Sequence, residues 1–146
     1  MCCKNTNAKE THFGACCSRP DLYDIIIPGK HGKLLATLYS AGGEGPHPTV
    51  LLLHGIPGCE QNLDLAQSLR RTGFSSVIFF YRGCWGSEGI FSFEVSFEDT
   101  KAVLDFVLND TQYNFDKNHI FFIGHSLGCV NAARTPFVPR QKAAYS

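Results

Sequence analysis

Residues 120–128 read Ile-Phe-Phe-Ile-Gly-His-Ser-Leu-Gly, a short apolar run that leads directly into a Gly-x-Ser-x-Gly motif. The apolar run is typical of a buried strand. The glycines are typical of a tight turn whose backbone passes close to its neighbours. Leu127 and the residues after it begin a helix in this pattern. The stretch therefore predicts a sharp strand-to-helix turn that exposes Ser126 at the end of a sheet.

Buried strands and amphipathic helices alternate from residue 50 onward. Apolar runs predict strands at residues 50–53, 77–81 and 119–123. Between them we expect a helix at about residues 62–71 and a second helix opened by Ser96, because Ser96-Phe-Glu-Asp99 resembles a capping box. Upstream, two strands at residues 25–27 and 33–39 flank a hairpin loop. This order predicts an α/β fold, a mostly parallel sheet flanked by helices.

Composition and charge exclude several classes of protein. The 146 residues carry 13 basic and 13 acidic side chains, so no net field attracts nucleic acid or anionic lipid. No apolar run approaches the roughly 18 residues that span a bilayer. The first residues lack the apolar stretch of a secretory signal. We therefore expect a cytoplasmic protein with no nucleic-acid or membrane partner.

The chain divides into three predicted segments. Residues 1–20 form a flexible lead-in, residues 21–133 carry the fold, and residues 134–146 are an atypical tail without a clear apolar period. Two doublets in or near the lead-in supply four of the seven cysteines: Cys2, Cys3, Cys16 and Cys17. Their spacing does not match the Cys-x-x-Cys of common zinc sites. Free thiols and acylated thiols both remain open.

A nucleophilic serine needs two backbone N–H donors that hold the developing oxyanion. One should be the N–H of Leu127, immediately after Ser126 and at the start of a helix. The other should come from the turn that follows the strand at residues 50–53. We choose Ile56 in that turn, because Pro57 has no N–H to donate. Ser126, Ile56 and Leu127 are thus the predicted site.

Two histidines and one arginine lie near these motifs. We interpret His54 as a structural residue whose ring braces its loop by hydrogen bonds, with a makeshift base as the weaker alternative. His125 is also interpreted as structural. Arg82 opens a glycine-rich loop, residues 82–89, that does not match a dinucleotide fingerprint. We expect Arg82 to pair with a carboxylate or with backbone carbonyls.

Together, the motifs His54-Gly-x-Pro-Gly, Tyr81-Arg-Gly-x-x-Gly-Ser-x-Gly and Gly124-His-Ser-Leu-Gly resemble those of the α/β-hydrolase superfamily. They are most similar to bacterial serine hydrolases of the carboxylesterase, prolyl-oligopeptidase-like or serine-aminopeptidase-like type. The resemblance covers residues 22–128. It implies that Ser126 is the nucleophile, that Ile56 and Leu127 supply the oxyanion hole, and that no metal or organic cofactor is bound. It also implies a small-molecule ester, amide or peptide as substrate.

The chain departs from that superfamily after Ser126, where it contains no histidine, aspartate or glutamate. The superfamily places its acid and histidine there, on later loops. We therefore expect a fold truncated after the turn, with sequence foreign to the family from about Cys129, where Pro136 and Pro139 break the helix. Three alternatives stay open. The chain is an inactive or weak fragment of a serine hydrolase, a weak esterase that uses His54, or a non-catalytic half-domain that associates with another chain through an exposed sheet edge, through which self-association is also possible.

Overall fold

The computed structural model describes residues 19–56 and 61–135. Strands and helices follow one another there in the order β1 (Asp21–Gly29), β2 (Gly32–Ser40), β3 (His47–Leu53), α1 (Leu63–Arg71), β4 (Ser75–Phe79), α2 (Phe93–Asn109), β5 (Phe115–Gly124) and α3 (Leu127–Arg134). None of the helices in these two ranges has the length and apolar character needed to cross a membrane. The alternation of strands and helices from β3 onward is the one expected from the sequence.

The five strands form one mixed sheet in the order β1-β2-β4-β3-β5. Strand β3 pairs in parallel with both β4 and β5, while β1 and β2 join the sheet in antiparallel pairings. In the β3–β5 ladder, Leu53 lies opposite Gly124. The two strands therefore end side by side, and the segments that follow them leave the sheet at the carboxyl ends of its parallel strands. The predicted α/β fold is confirmed.

Helices cover both faces of this sheet. On one face, α1 places Ala66 against a cluster of alternate strand residues that includes Val50, Leu52 and Ile78. On the other face, α2 supplies Val103 and its neighbours to a larger core. All five residues of β4 are buried, as expected for a central strand covered on both faces.

Element boundaries differ from the prediction in several places; β1 and β3, for example, begin at Asp21 and His47, four and three residues earlier than predicted. Helix α2 begins at Phe93, because the Ser92 side chain accepts a hydrogen bond from Val95 N and caps the helix. The prediction that Ser96 opens this helix is therefore wrong. Strand β4 ends at Phe79 rather than at residue 81. Strand β5 begins at Phe115 rather than at residue 119, because Phe115 already pairs with His47 of β3 before an irregularity in the ladder, and regular pairing resumes at Ile120.

Part of the predicted segmentation falls on residues outside the described ranges. Cys2, Cys3, Cys16 and Cys17 lie there, as do Pro136 and Pro139. The division into residues 1–20, 21–133 and 134–146 stays a prediction. Within the described residues, helix α3 continues to Arg134 and ends at Thr135.

Candidate active site

Ser126 sits in a strained turn between β5 and α3. Its backbone has φ 52° and ψ −115°, and it is the residue immediately before the first turn of α3. Residues other than glycine are disfavoured in this conformation, at a cost of about 1–3 kcal/mol that the surrounding structure must offset. The strained strand-to-helix turn predicted from Gly-x-Ser-x-Gly is therefore found.

The two glycines of the motif allow the turn to close. A Cβ atom on Gly124 would overlap the backbone of Gly128 and Cys129, and a Cβ atom on Gly128 would overlap the carbonyl of Leu53. These overlaps are with backbone atoms, which cannot rotate away as a long side chain can. The first turn of α3 is thus packed directly on the ends of β3 and β5, and this contact holds Ser126 at the sheet edge.

A groove of about 620 Å³ opens beside this turn. It brings together the three residues predicted from the sequence, namely Ser126, Leu127 and Ile56. Four further residues line it: Phe93, Val130, Asn131 and Arg134. The spacing of Val130, Asn131 and Arg134 places them on one face of α3, which is the signal that could have identified them. Phe93 carries no such signal, because its approach depends on how α2 packs against α3.

Two backbone amide groups at this groove have no backbone acceptor among the described residues. The N–H of Gly128 donates to His125 O at 2.8 Å, and the N–H of Cys129 donates to Ser126 O at 3.0 Å. Within residues 19–56 and 61–135, the N–H groups of Leu127 and Ile56 have no such acceptor. Their role as oxyanion donors stays a prediction.

His54 braces the loop that follows β3. Its buried ring places Nδ1 2.8 Å from Gly55 O, and Nε2 accepts a long hydrogen bond of 3.5 Å from Tyr81 N. These contacts require the tautomer with hydrogen on Nδ1, which is neutral. The ring also lies 4.4 Å from that of Tyr81. The structural interpretation of His54 is confirmed, and in the part of the chain that the structure covers its ring forms no hydrogen bond with Ser126.

His125 is exposed and lies beside Gly55. Its backbone N–H donates to Leu53 O at 3.1 Å, and a Cβ atom on Gly55 would lie only 3.0 Å from both its Nδ1 and the Ser126 Cβ. The turn at Ser126 and the loop after β3 are therefore in direct contact, and glycine at position 55 permits the approach.

Arg82 pairs with carboxylates, as predicted. Its Nε donates to Asp99 Oδ1 at 2.7 Å and its Nη2 to Glu98 Oε2 at 3.2 Å. Burial, reinforced by the nearby Asp99 carboxylate, raises the pKa of the Cys84 thiol in the same loop, which keeps it protonated. Arg82 and Asp99 therefore form a buried ion pair that joins this otherwise largely exposed loop to α2.

A second polar cluster fastens α3 to α2. The buried Asn131 donates from Nδ2 to Ser96 Oγ at 3.0 Å, and Ser96 Oγ donates to Phe93 O at 2.7 Å. Sequence reasoning missed this pair, because it joins residues 35 positions apart. Among the described residues, no cluster of three histidine, cysteine, aspartate or glutamate side chains could hold a metal ion.

Several known proteins are similar to this chain. An α/β serine hydrolase homologue from Coxiella burnetii superposes with a TM-score of 0.65 and is 27% identical over 77% of this chain and 55% of its own. The Pyrococcus furiosus esterase Pf2001 superposes with a TM-score of 0.65 at 21% identity, over 79% of this chain and 46% of its own. An uncharacterized Mycobacterium tuberculosis protein is 30% identical over 113 residues, which are 75% of this chain but 39% of that protein. The chain thus spans between 39% and 55% of the length of these relatives.

A family model described as the alpha/beta hydrolase fold matches residues 48–136, more than half of the chain. The match extends past α3, so the expectation of foreign sequence from about Cys129 is wrong. The structure gives the physical reason, since Asn131 and Thr135 are buried and α3 packs on β3 and β5 as one continuous helix. The chain belongs to the α/β hydrolase fold family.

Proposed function

We propose that the chain carries the nucleophile of a serine hydrolase, which cleaves ester or amide bonds through an acyl-enzyme on Ser126. The observation that supports it best is the strained backbone of Ser126, at the head of α3 and open to the groove. Strain of this kind persists where the surrounding structure enforces it, and such positions cluster at active sites. The names of the similar proteins, a serine hydrolase homologue and an esterase, agree with this choice.

In the proposed reaction, Ser126 Oγ attacks the carbonyl carbon and passes its proton to a base. The negative charge that develops on the carbonyl oxygen is held by the N–H groups of Leu127 and Ile56. The base returns its proton to the leaving group, and water then releases the acyl group from Ser126. No described histidine forms a hydrogen bond with Ser126, so we propose that the base and its orienting acid come from outside the described residues.

Fluorophosphonate labelling tests this proposal, with the modified residue located by peptide mass spectrometry. We would label the 146-residue chain and any longer product of the same gene, each with Ser126→Ala and Ser68→Ala variants. Ser68 is an exposed serine on α1 and serves as the matched control. We expect an adduct on Ser126 that forms faster in the longer product, is lost in Ser126→Ala and persists in Ser68→Ala. Labelling that survives in Ser126→Ala, or that fails in both chains, contradicts the proposal.

His54→Gln distinguishes the weaker esterase alternative. Because both ring nitrogens of His54 contact backbone atoms, we expect the labelling rate of Ser126 to be unchanged in a folded His54→Gln variant. A rate that falls tenfold or more, without loss of secondary structure, would assign base function to His54.

The second candidate is a non-catalytic domain that associates through β5. In the described sheet β5 is an edge strand, and Phe121 and Ile123 on it are 46% and 39% exposed. Exposed apolar edges recruit other strands. Light scattering across a concentration series should then show a dimer that Phe121→Lys dissociates. The control is Ile26→Lys, at a 59% exposed residue of the opposite edge strand β1. A monomer at every concentration would contradict this candidate.

A further inference from the structure

We propose that the groove beside Ser126 selects substrates that carry an apolar group and a carboxylate, with Arg134 as the residue that binds the carboxylate. This inference rests on the proposed function and names the substrate class of the same site. The neighbouring residues supply both halves of the recognition: apolar side chains along the walls, and one guanidinium at the far end of α3.

The apolar half comes from side chains that remain exposed at the groove. Phe93 is 62% exposed and Val130 is 51% exposed, and both line the groove together with Leu127 and Ile56. Scattered exposed apolar residues need no explanation, whereas several that converge on one concave surface are typical of a ligand site. Phe93 is a flat aromatic surface that suits a ring or an alkyl chain of the substrate.

The charged half comes from Arg134, the last residue of α3. It lies eight residues after Ser126, which corresponds to about 12 Å along a helix axis. Helical side chains lean toward the N-terminus, and Arg134 lines the same groove as Ser126. A carboxylate held by Arg134 would thus be separated from the scissile carbonyl by a short apolar spacer, and that spacer would lie along Val130.

The positive charge of Arg134 is not neutralised by a neighbour within the described residues. The ion pairs found there join Arg82 to Glu98, Arg82 to Asp99 and His119 to Asp116. The guanidinium of Arg134 lies 4.5 Å from the centre of the Phe97 ring, and the ammonium of Lys101 lies 5.7 Å from the same centre. A cation–π contact orients the guanidinium but leaves its charge available. Its planar fork suits bidentate binding of a carboxylate.

Direct binding measurements test the inference without requiring turnover. The probes are phenylbutyrate and phenylbutanol, which share the ring and the spacer and differ in the charged end. Titration of the 146-residue chain, followed by NMR, should give about fivefold tighter binding of phenylbutyrate, the preference expected of one partly exposed ion pair. Arg134→Gln should remove that preference, and Phe93→Ala should weaken both probes.

Arg71→Gln is the matched control. Arg71 is also the last residue of an exposed helix end, on α1, and does not line the groove. The preference for phenylbutyrate should persist in that variant. Equal affinity for the two probes, a preference that survives in Arg134→Gln, or no binding of either probe would overturn the inference. A preference that is present while Ser126 resists labelling would contradict the proposed hydrolase and leave the selectivity of the groove standing.

Discussion

Arg82 and Asp99 form two hydrogen bonds through a single carboxylate. The side-chain Nε of Arg82 donates to Oδ1 at 2.7 Å, and its backbone N donates to Oδ2 at 2.8 Å. The Arg82 side chain is 4% exposed and the Asp99 side chain is fully buried. The pair joins the loop after β4 to the second turn of α2, which begins with Phe93 at the groove. One ion pair therefore fixes the helix that forms a wall of the candidate site.

Asp99→Asn should lower the free energy of unfolding by about 3 kcal/mol, because it leaves a buried guanidinium without its main counter-charge. Glu98→Gln is the control. Glu98 contacts the same guanidinium but is 47% exposed, so its loss should cost at most about 1 kcal/mol. Urea denaturation of the three proteins gives the comparison. Equal losses in the two variants would show that burial of the pair does not decide its contribution.

Gly128→Ala should lower the free energy of unfolding by about 3 kcal/mol, the upper range for overpacking a rigid site. The added Cβ would overlap the Leu53 carbonyl, and α3 would have to move away from the sheet. Gly43→Ala separates this clash from backbone strain, since Gly43 has φ +105° and open space around its Cβ position. That control should cost about 1–2 kcal/mol. A smaller loss in Gly128→Ala than in Gly43→Ala would contradict the close packing of α3 on β3.

The turn at Ser126 was predictable because it is a local motif set between a recognisable strand and helix. Its glycines follow from backbone approaches that such a turn always makes. The start of α2 was not predictable in the same way, since Ser92 and Ser96 are both competent caps and only the packing of the helix decides between them. The groove was missed for a related reason. Phe93 meets the face of α3 that carries Asn131 and Arg134 only when α2 and α3 pack, and no local pattern encodes that contact.

Tyr81 should make stability fall above pH 10. Burial raises the pKa of Tyr81 to about 12, although the nearby Asn131 and Thr100 side chains favour its ionised form. The folded protein therefore keeps a proton that the unfolded chain loses near pH 10. The stabilisation is complete below pH 10 and is lost as the pH rises through 12. Between pH 8 and pH 11 the free energy of unfolding should fall by about 1.4 kcal/mol from this group.

Tyr81→Phe isolates that contribution. Its hydroxyl is buried and forms no hydrogen bond of standard geometry within the described residues. We therefore expect stability at pH 8 to change by less than about 1 kcal/mol. The variant should lose about 1.4 kcal/mol less than the parent between pH 8 and pH 11, since other titrating groups are common to both. If the free energy of unfolding falls equally between pH 8 and pH 11 in Tyr81→Phe and in the parent, the effect does not come from Tyr81.

Ser126→Gly should stabilise the fold while removing the candidate nucleophile. Glycine adopts φ 52°, ψ −115° without the steric penalty that Ser126 carries. The relief is partly offset because glycine gains more freedom in the unfolded chain, so we expect a net gain of about 1 kcal/mol. Asn62→Gly is the control: Asn62 has φ 48°, ψ 45°, a conformation that asparagine tolerates, and its gain should be smaller. Thermal or urea unfolding gives both values. A loss of stability in Ser126→Gly would contradict this prediction. It would show that the serine side chain stabilises the turn by more than its backbone conformation costs.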